Sequence, residues 1–243
     1  MPHIKNGHKI HTDQLTLAAE HQSPLVTYDV AAIDETSAKI AIYVRSLIIS
    51  GDVIQTGLGK VPDKLVSNLS DLHNLRFHSS MISDGFINLA EAGALDPDFM
   101  HTTCCALGSE TFYEKLPNLP KLRITGVKET HAPSSLAQYE NLIAINSALE
   151  VDLWGQANLE MLGKRQVSSI GGAPDFALAA RNGKSIIVLP ATAVKGKLSR
   201  IIPSLNTGQV TSLGRNDIDY VVTEFGIAKL KGKSVYKRGD ALI

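Results

Sequence analysis

The chain has 243 residues, and its 24 basic side chains balance its 24 acidic ones. This balance predicts neither a nucleic-acid-binding surface nor attraction to an anionic membrane. The first residues lack the apolar core of a signal peptide, and no stretch reaches the roughly 18 apolar residues of a membrane span, so we expect a soluble protein. Cys104 and Cys105 are adjacent, which fits neither a disulfide framework nor the usual zinc spacings. We therefore expect a reduced, cytoplasmic setting and no metal.

Residues 1–33 hold four histidines without a regular spacing, namely His3, His8, His11 and His21. They are metal ligands or, as we expect, part of an exposed and loosely ordered lead-in. Asp34 and Thr36 are predicted caps of a helix whose apolar residues recur with helical spacing as far as Ile48, and Gly51 ends this predicted helix. We interpret residues 34–243 as one domain.

Strands and helices then alternate along the chain. The predicted strands are residues 53–56, 75–78, 100–107, 122–127, 144–153, 185–190 and 219–223. Helices are predicted between them, one behind a Ser109 cap and one behind a cap at Ser134 or Ser135. The alternation predicts an α/β fold, with a mostly parallel sheet and helices on both faces. Residues 191–197 are predicted as a loop, and the basic segment 229–238 as a solvated face.

A glycine pair, Gly171-Gly172, lies between a β-like run and an apolar helical pattern. Adjacent glycines allow positive φ and a close approach of a ligand to the main chain, and Pro174 favours the start of a helix. Free N–H groups at a helix start favour a phosphate or a developing oxyanion. The alternative is an ordinary tight turn without a ligand.

Seven motifs follow one another in a fixed order, at residues 51–62 (GDVIQTGLGKVP), 78–85 (HSSMISDG), 144–156 (AINSALEVDLWGQ), 171–176 (GGAPDF), 189–193 (LPATA), 199–203 (SRIIP) and 221–226 (VVTEFG). Together they resemble the acetyl-CoA hydrolase/transferase family of class I CoA-transferases, which includes enzymes of the 4-hydroxybutyrate/acetate CoA-transferase kind. The resemblance implies a CoA-transferase (NagB/RpiA-like) fold. It also implies an acyl-CoA and a small carboxylic acid as partners, with coenzyme A as a substrate.

Members of this family are longer, and in them CoA and the acyl group meet between two α/β halves. The chain resembles the C-terminal half, so we expect a homodimer or pairing with an N-terminal half. Its end, Ala241-Leu242-Ile243, is an apolar run without a cap, which suggests truncation or a partner surface.

The resemblance also implies the site residues. In family members that transfer CoA, a His-Ser/Thr-x-Met motif carries a glutamate at x, which forms an acyl anhydride and then a glutamyl-CoA thioester. Position x is Ser80 here, and an assisting asparagine of the family aligns with His131. The backbone at Gly171 and Gly172 would hold the thioester oxygen, and Ala173 and Asp175 belong to the same CoA-binding turn.

A serine hydroxyl is a poor nucleophile until a base takes its proton. His78, two residues earlier on the same strand face, and His131 are the two candidate bases. Ser80 so activated would hydrolyse a thioester directly. In the other interpretation, Ser80 fills the space of the glutamate and CoA transfer is lost.

Two further pairs of side chains are candidates for a chemical role. Glu150 and Asp152 form an acid–base pair or, as we expect, stabilise the Gly155 turn or a strand end. Cys104 and Cys105 point to opposite faces of their strand, which predicts that at least one lies in the core.

Three functions remain open from the sequence. The first is a CoA-transferase or acetyl-CoA hydrolase acting on a small acyl-CoA, impaired because the glutamate position is Ser80. The second is a catalytically silent CoA-binding protein, or a subunit that needs a separate N-terminal half. The third is a sugar-phosphate enzyme on a similar sheet.

Overall fold

The computed structural model of the chain describes residues 3–28, 34–57, 59–119 and 121–243. Residues 29–33 of the predicted lead-in, and Leu58 in the first glycine-rich motif, lie outside the described residues. The helices are α1 (Glu35–Arg45), α2 (Lys60–Ser67), α3 (Asp84–Glu91), α4 (Glu110–Lys115), α5 (Val127–Thr130), α6 (Pro133–Leu136), α7 (Ala173–Ala179) and α8 (Val235–Leu242), with 3-10 turns at Thr12–Gln14 and Leu116–Asn118.

The strands are β1 (Asn6–Gly7), β2 (Val53–Thr56), β3 (Arg76–Ile82), β4 (His101–Ala106), β5 (Leu122–Ile124), β6 (Leu142–Ser147), β7 (Glu150–Asp152), β8 (Ala157–Asn158), β9 (Met161–Leu162), β10 (Arg165–Gln166), β11 (Lys184–Val188), β12 (Thr192–Ala193), β13 (Leu198–Ser199), β14 (Ile201–Ile202), β15 (Tyr220–Thr223) and β16 (Gly226–Lys229). In the described part of the chain, nine of them form one sheet in the order β1-β5-β4-β3-β2-β6-β11-β15-β16. Its pairs are parallel except for the β15–β16 hairpin. The α/β prediction is therefore confirmed.

Both faces of the central strands are buried, as expected for a parallel sheet covered by helices. Along β6, Ile143 and Ile145 join the large core cluster with residues of α1, α2 and α3, whereas Leu142 and Ala144 pack with Phe176 of α7 on the other face. Alternate residues of one strand thus contact two different helical layers. Helix α7 lies against β6 and β11.

Two predicted caps are confirmed. The Asp34 carboxylate accepts a hydrogen bond from the Ser37 N–H at 2.8 Å, and the Ser109 hydroxyl accepts one from the Phe112 N–H at 3.1 Å. Each cap satisfies one of the backbone donors that a helix start leaves free.

Several local predictions are wrong. The strand predicted to end at Val127 ends at Ile124, and Val127 begins α5 behind Gly126. Helix α6 begins at Pro133 rather than behind Ser134 or Ser135, because a proline has its φ preset for the first helical position and lacks the N–H that a cap would satisfy. The predicted loop 191–197 contains β12, which pairs with β13.

The basic segment 229–238 is not simply a solvated face. Lys229 ends β16, and Arg238 in α8 is only 8% exposed. Its guanidinium donates from Nη1 to the Arg215 carbonyl at 2.7 Å and packs on the Gly155 turn. A long cationic side chain is buried here because its polar end finds backbone acceptors.

Residues 3–28 are mostly exposed and hold little regular structure. Within them, β1 pairs with β5 and so extends one edge of the sheet. No helix among the described residues is long and apolar enough to cross a membrane.

Candidate functional site

A cavity of about 670 Å³ opens where β3 and β4 end, beside the first turn of α7. Open α/β sheets bind ligands beyond the carboxyl ends of their parallel strands, and this cavity lies at that edge. The residues lining it include Ser80, His131, Gly171, Gly172 and Asp175. The structure therefore brings together five of the seven residues that the sequence proposed for the site.

The glycine turn forms one wall of the cavity. Gly171 has a φ of +55°, in the left-handed region that favours glycine, and Gly172 is the N-cap of α7. A Cβ at Gly172 would lie 2.3 Å from His131 Nε2 and 3.2 Å from Phe176 Cε2. Gly172 is therefore required by the close approach of the imidazole. Ala173 is 7% exposed and packs under the turn rather than lining the cavity.

His131 follows α5 directly, and its ring packs edge-on against Phe176 with centroids 5.0 Å apart. Its Nδ1 lies 2.7 Å from the Thr130 hydroxyl, and its Nε2 faces Gly172. Burial lowers the pKa of His131, and the charge of Asp175 opposes that shift. A neutral imidazole with Nδ1 engaged offers Nε2 to a ligand, as a donor in one tautomer and as an acceptor in the other.

His78 has a different environment. Its Nε2 lies 2.8 Å from the Thr130 carbonyl and its Nδ1 lies 3.0 Å from the Tyr139 hydroxyl. A carbonyl can only accept, so Nε2 carries the proton and Nδ1 accepts from Tyr139. Burial lowers the pKa of His78. Both ring nitrogens of His78 are engaged, and His78 does not line the cavity, whereas His131 lines it together with Ser80.

Ser80 is half-buried at the cavity wall, and its backbone carbonyl accepts a hydrogen bond from Cys104 Sγ at 3.0 Å. Cys104 and Cys105 are both half-buried, and both line the cavity. The prediction that one of them lies in the core is wrong, because the cavity reaches both sides of the end of β4. Burial and the neighbouring Cys104 raise the pKa of the Cys105 thiol, which opposes formation of a thiolate.

Glu150 and Asp152 lie outside this cavity and stabilise loops. Asp152 Oδ1 accepts from the N–H groups of Trp154 and Gln156, at 3.1 and 2.9 Å. Glu150 Oε2 accepts from Asn158 Nδ2 at 3.2 Å and from Gln209 Nε2 at 2.6 Å. These contacts agree with the structural roles expected for the pair.

Sequence reasoning missed several residues of the wall, namely Met81, Val127, Lys128 and Ala132. Met81 stands inside the motif that contains Ser80, so the motif itself could have pointed to it. Val127 and Lys128 were missed because α5 was predicted as the end of a strand. Within the described residues, no group of three or more His, Cys, Asp or Glu side chains is arranged to hold a metal ion.

Comparisons with known proteins agree with this architecture. A family model described as the acetyl-CoA hydrolase/transferase C-terminal domain matches residues 108–243. The 4-hydroxybutyrate coenzyme A transferase of Clostridium kluyveri is 36% identical over the whole of this chain. The chain spans 59% of the length of that relative.

Two solved structures resemble the fold over nearly all of the chain. RipA from Yersinia pestis has a TM-score of 0.88 at 30% identity, with 96% of this chain and 55% of that chain covered. The 4-hydroxybutyrate CoA-transferase of Porphyromonas gingivalis has a TM-score of 0.84 at 31% identity, with 100% and 59% covered. The chain therefore belongs to the acetyl-CoA hydrolase/transferase family and carries the C-terminal domain of that family.

Proposed function

We propose that the cavity binds the thioester end of a small acyl-CoA, and that CoA transfer through a glutamyl thioester is lost in this chain. The observation that carries the proposal is the cavity itself, which joins Ser80, His131 and the Gly171-Gly172 turn in a member of this family. Coenzyme A would be a substrate here.

Binding would use hydrogen-bond donors of residues that line the cavity. The thioester oxygen would lie at the Gly171 and Gly172 amides, next to the first turn of α7. His131 Nε2 faces the same turn, and in the tautomer that carries the proton on Nε2 it would add a side-chain donor. This is the place in which the family resemblance expects an asparagine, which also donates from a side-chain N–H.

The type of residue at position 80 decides which reaction the site supports. A carboxylate can attack an acyl-CoA and carry the CoA, whereas a hydroxyl must first lose its proton to a base. His78 has no free ring nitrogen, so His131 is the base that remains for Ser80. It would act in the tautomer that leaves Nε2 unprotonated, not in the one that donates to the thioester oxygen. Direct thioester hydrolysis by Ser80 and His131 is therefore the residual activity that this site could support.

A second candidate function is CoA binding without turnover, by this chain alone or as a subunit beside a separate N-terminal half. Ser80 in place of glutamate favours it. A homodimer and a cytoplasmic location belong to this proposal. The free thiols of Cys104 and Cys105 support a reducing compartment.

The first experiment restores the carboxylate. Ser80→Glu and the matched control Ser80→Gln are assayed for exchange between acetyl-CoA and acetate, with and without an N-terminal half supplied in trans. We expect exchange from Ser80→Glu and none from Ser80→Gln or the wild type, because only the glutamate can form the anhydride and the thioester. If Ser80→Glu binds acetyl-CoA but gains no exchange, this is not a disabled transferase site.

The second experiment separates the two candidate functions. The purified chain is titrated with CoA and with acetyl-CoA in a calorimeter, and acetyl-CoA hydrolysis is followed in parallel. Binding with slow hydrolysis that depends on His131 supports the residual enzyme. Tight binding without hydrolysis supports the silent CoA-binding protein, and the absence of any binding contradicts both.

A further inference from the structure

A second cavity, of about 320 Å³, lies at the other end of α7. It is lined by residues that come from α7 and its C-terminal turn, the start of β11, the loop before β15 and the segment around α8. Within the described residues, its lining and that of the acyl-CoA cavity have no residue in common. It therefore presents a separate site.

Ser185 provides the first sign of a missing ligand. The residue is 2% exposed, and its Oγ has no hydrogen-bond partner in the described part of the chain. Its backbone is fully engaged, since its N–H donates to Asp219 Oδ2 at 3.1 Å and its carbonyl accepts from the Asp219 N–H at 2.9 Å. Buried hydroxyl groups in native proteins are almost always hydrogen-bonded, so an unpaired one at a cavity wall indicates an absent partner.

The charge of the lining provides the second sign. Three basic side chains, Arg181, Lys231 and Arg238, face two carboxylates, Asp217 and Asp219. Each carboxylate already has a cation, with Arg181 3.5 Å from Asp217 and Lys231 3.1 Å from Asp219. The lining therefore carries one positive charge in excess.

Among the described residues, Arg238 is the cation of this lining that forms no salt bridge with a carboxylate. It is 8% exposed, and its guanidinium donates from Nη1 and Nε to the carbonyls of Arg215 and Lys233, at 2.7 and 3.4 Å. Burial and the positive charge of Arg215 lower the pKa of Arg238, and the negative charge of Asp219 opposes them only in part. An anion in the cavity would offset both effects.

We propose that this cavity binds a phosphate group, either inorganic phosphate or the monoester of a small metabolite. Guanidinium groups offer donors in a planar fork that suits phosphate oxygens, and a serine hydroxyl adds a donor from another direction. Ser185, Arg238 and Arg181 supply these donors from three separate elements. The ligand satisfies the Ser185 hydroxyl and neutralises the excess charge. This site goes beyond the acyl-CoA function and does not depend on it.

The test measures phosphate binding to the full chain. Thermal unfolding and calorimetric titration are run with inorganic phosphate and with ribose 5-phosphate, against sodium chloride at the same ionic strength. We expect phosphate to raise the unfolding midpoint beyond the effect of chloride. Tighter binding of ribose 5-phosphate would identify a metabolite as the ligand, and tighter binding of inorganic phosphate would identify the free anion.

Ser185→Ala is the decisive variant, because it removes an atom that has no protein partner. Without phosphate, its stability should equal or exceed that of the wild type. Its phosphate affinity should fall about 10-fold, as for the loss of one hydrogen bond to a charged group. The matched control is Ser204→Ala, at an exposed position outside the cavity, which should change neither quantity.

Arg181→Gln gives a second measurement at a side chain that is 64% exposed, so folding should be retained. Its phosphate affinity should fall about 3-fold. The proposal is overturned if phosphate stabilises the chain no more than chloride does, or if Ser185→Ala binds phosphate as tightly as the wild type. Gly172→Ala, in the acyl-CoA cavity, should leave phosphate binding unchanged, so that the failure of either proposal can be told from the failure of the other.

Discussion

The polar residues near the beginnings of strands β3 and β4 are buried and hydrogen-bonded, whereas those near the ends line a cavity. Near their beginnings, His78 and His101 are buried, and each engages both of its ring nitrogens. At their ends, Ser80, Cys104 and Cys105 are half-buried and line a cavity. A polar residue deep in the strand thus serves packing and hydrogen bonding, whereas a polar residue at the carboxyl edge remains available to a ligand.

The three histidines of this region make the same contrast. His101 accepts from the Phe77 N–H at Nδ1 and contacts the Asp96 carbonyl through Nε2, each at 3.1 Å. His78 is held between Tyr139 and Thr130, whereas His131 Nε2, beside the glycine turn, forms no hydrogen bond with any of the described residues. Residue type alone does not distinguish a structural histidine from one that is available to a ligand. The number of ring nitrogens that form hydrogen bonds within the protein distinguishes them.

The largest effect is expected at His78. His78→Ala leaves the Tyr139 hydroxyl and the Thr130 carbonyl unpaired in a buried region and opens a void, so we expect a loss of about 4 kcal/mol in the free energy of unfolding. The matched change His131→Ala should cost about 1 kcal/mol, because that ring is half-buried and has one nitrogen unengaged. Urea unfolding measures both. Equal losses of stability in the two variants would show that the hydrogen bonds of His78 contribute no more to stability than those of His131.

A smaller effect is expected from the titration of His101. Burial lowers the pKa of this imidazole from 6.5 to about 4. Between these pH values the unfolded chain protonates the histidine and the folded protein does not, so its contribution to stability is present above pH 6.5 and is lost as the pH falls toward 4. The total loss is about 3 kcal/mol.

Other groups titrate in the same window, so the His101 contribution must be isolated. Burial raises the pKa of the Asp52 and Asp63 carboxyls, which opposes the effect of the histidine because protonated carboxyls favour the folded state at acid pH. We therefore compare the wild type with His101→Gln by urea unfolding at each pH. The stability advantage of the wild type should shrink by about 3 kcal/mol from pH 7 to pH 4. A constant difference would show that His101 does not resist protonation in the folded protein.

The smallest effect on stability is expected at Gly171 and Gly172. These two positions should differ most in their effect on the His131 ring in the cavity. Gly171→Ala should cost about 1 kcal/mol, because its φ of +55° strains any residue with a Cβ. Space is open around that Cβ, so His131 should stay in place. Gly172→Ala instead puts a methyl group 2.3 Å from His131 Nε2 and forces the ring away.

NMR of the imidazole protons and titration with CoA distinguish the two glycine variants. Gly172→Ala should shift the His131 signals and weaken CoA binding, whereas Gly171→Ala should lower stability without moving these signals. If both variants change the His131 signals alike, the contact between Gly172 and the imidazole is not what positions the ring.

Much of the fold follows from local patterns in the sequence. The alternation of strands and helices, the Asp34 and Ser109 caps, and the glycine turn before α7 all depend on residues close together in the chain. The errors occur where neighbouring signals compete, as at Val127 after Gly126 and at Pro133 before two serines. The glycine motif and the Ser80 motif both contribute residues to the lining of the cavity.

The sequence by itself determined the family, the α/β class and the motif residues that form the cavity. The tertiary structure alone decided which histidine remains available, since the groups that engage His78 lie 52 and 61 residues further along the chain. It also decided that both cysteines reach the cavity, and that Arg238 is buried in the lining of the same second cavity as Ser185, whose hydroxyl has no hydrogen-bond partner among the described residues. The physical reason is one of distance. Caps, periodicity and turns depend on neighbouring residues, whereas burial, hydrogen-bond partners and cavities arise only when distant segments pack together.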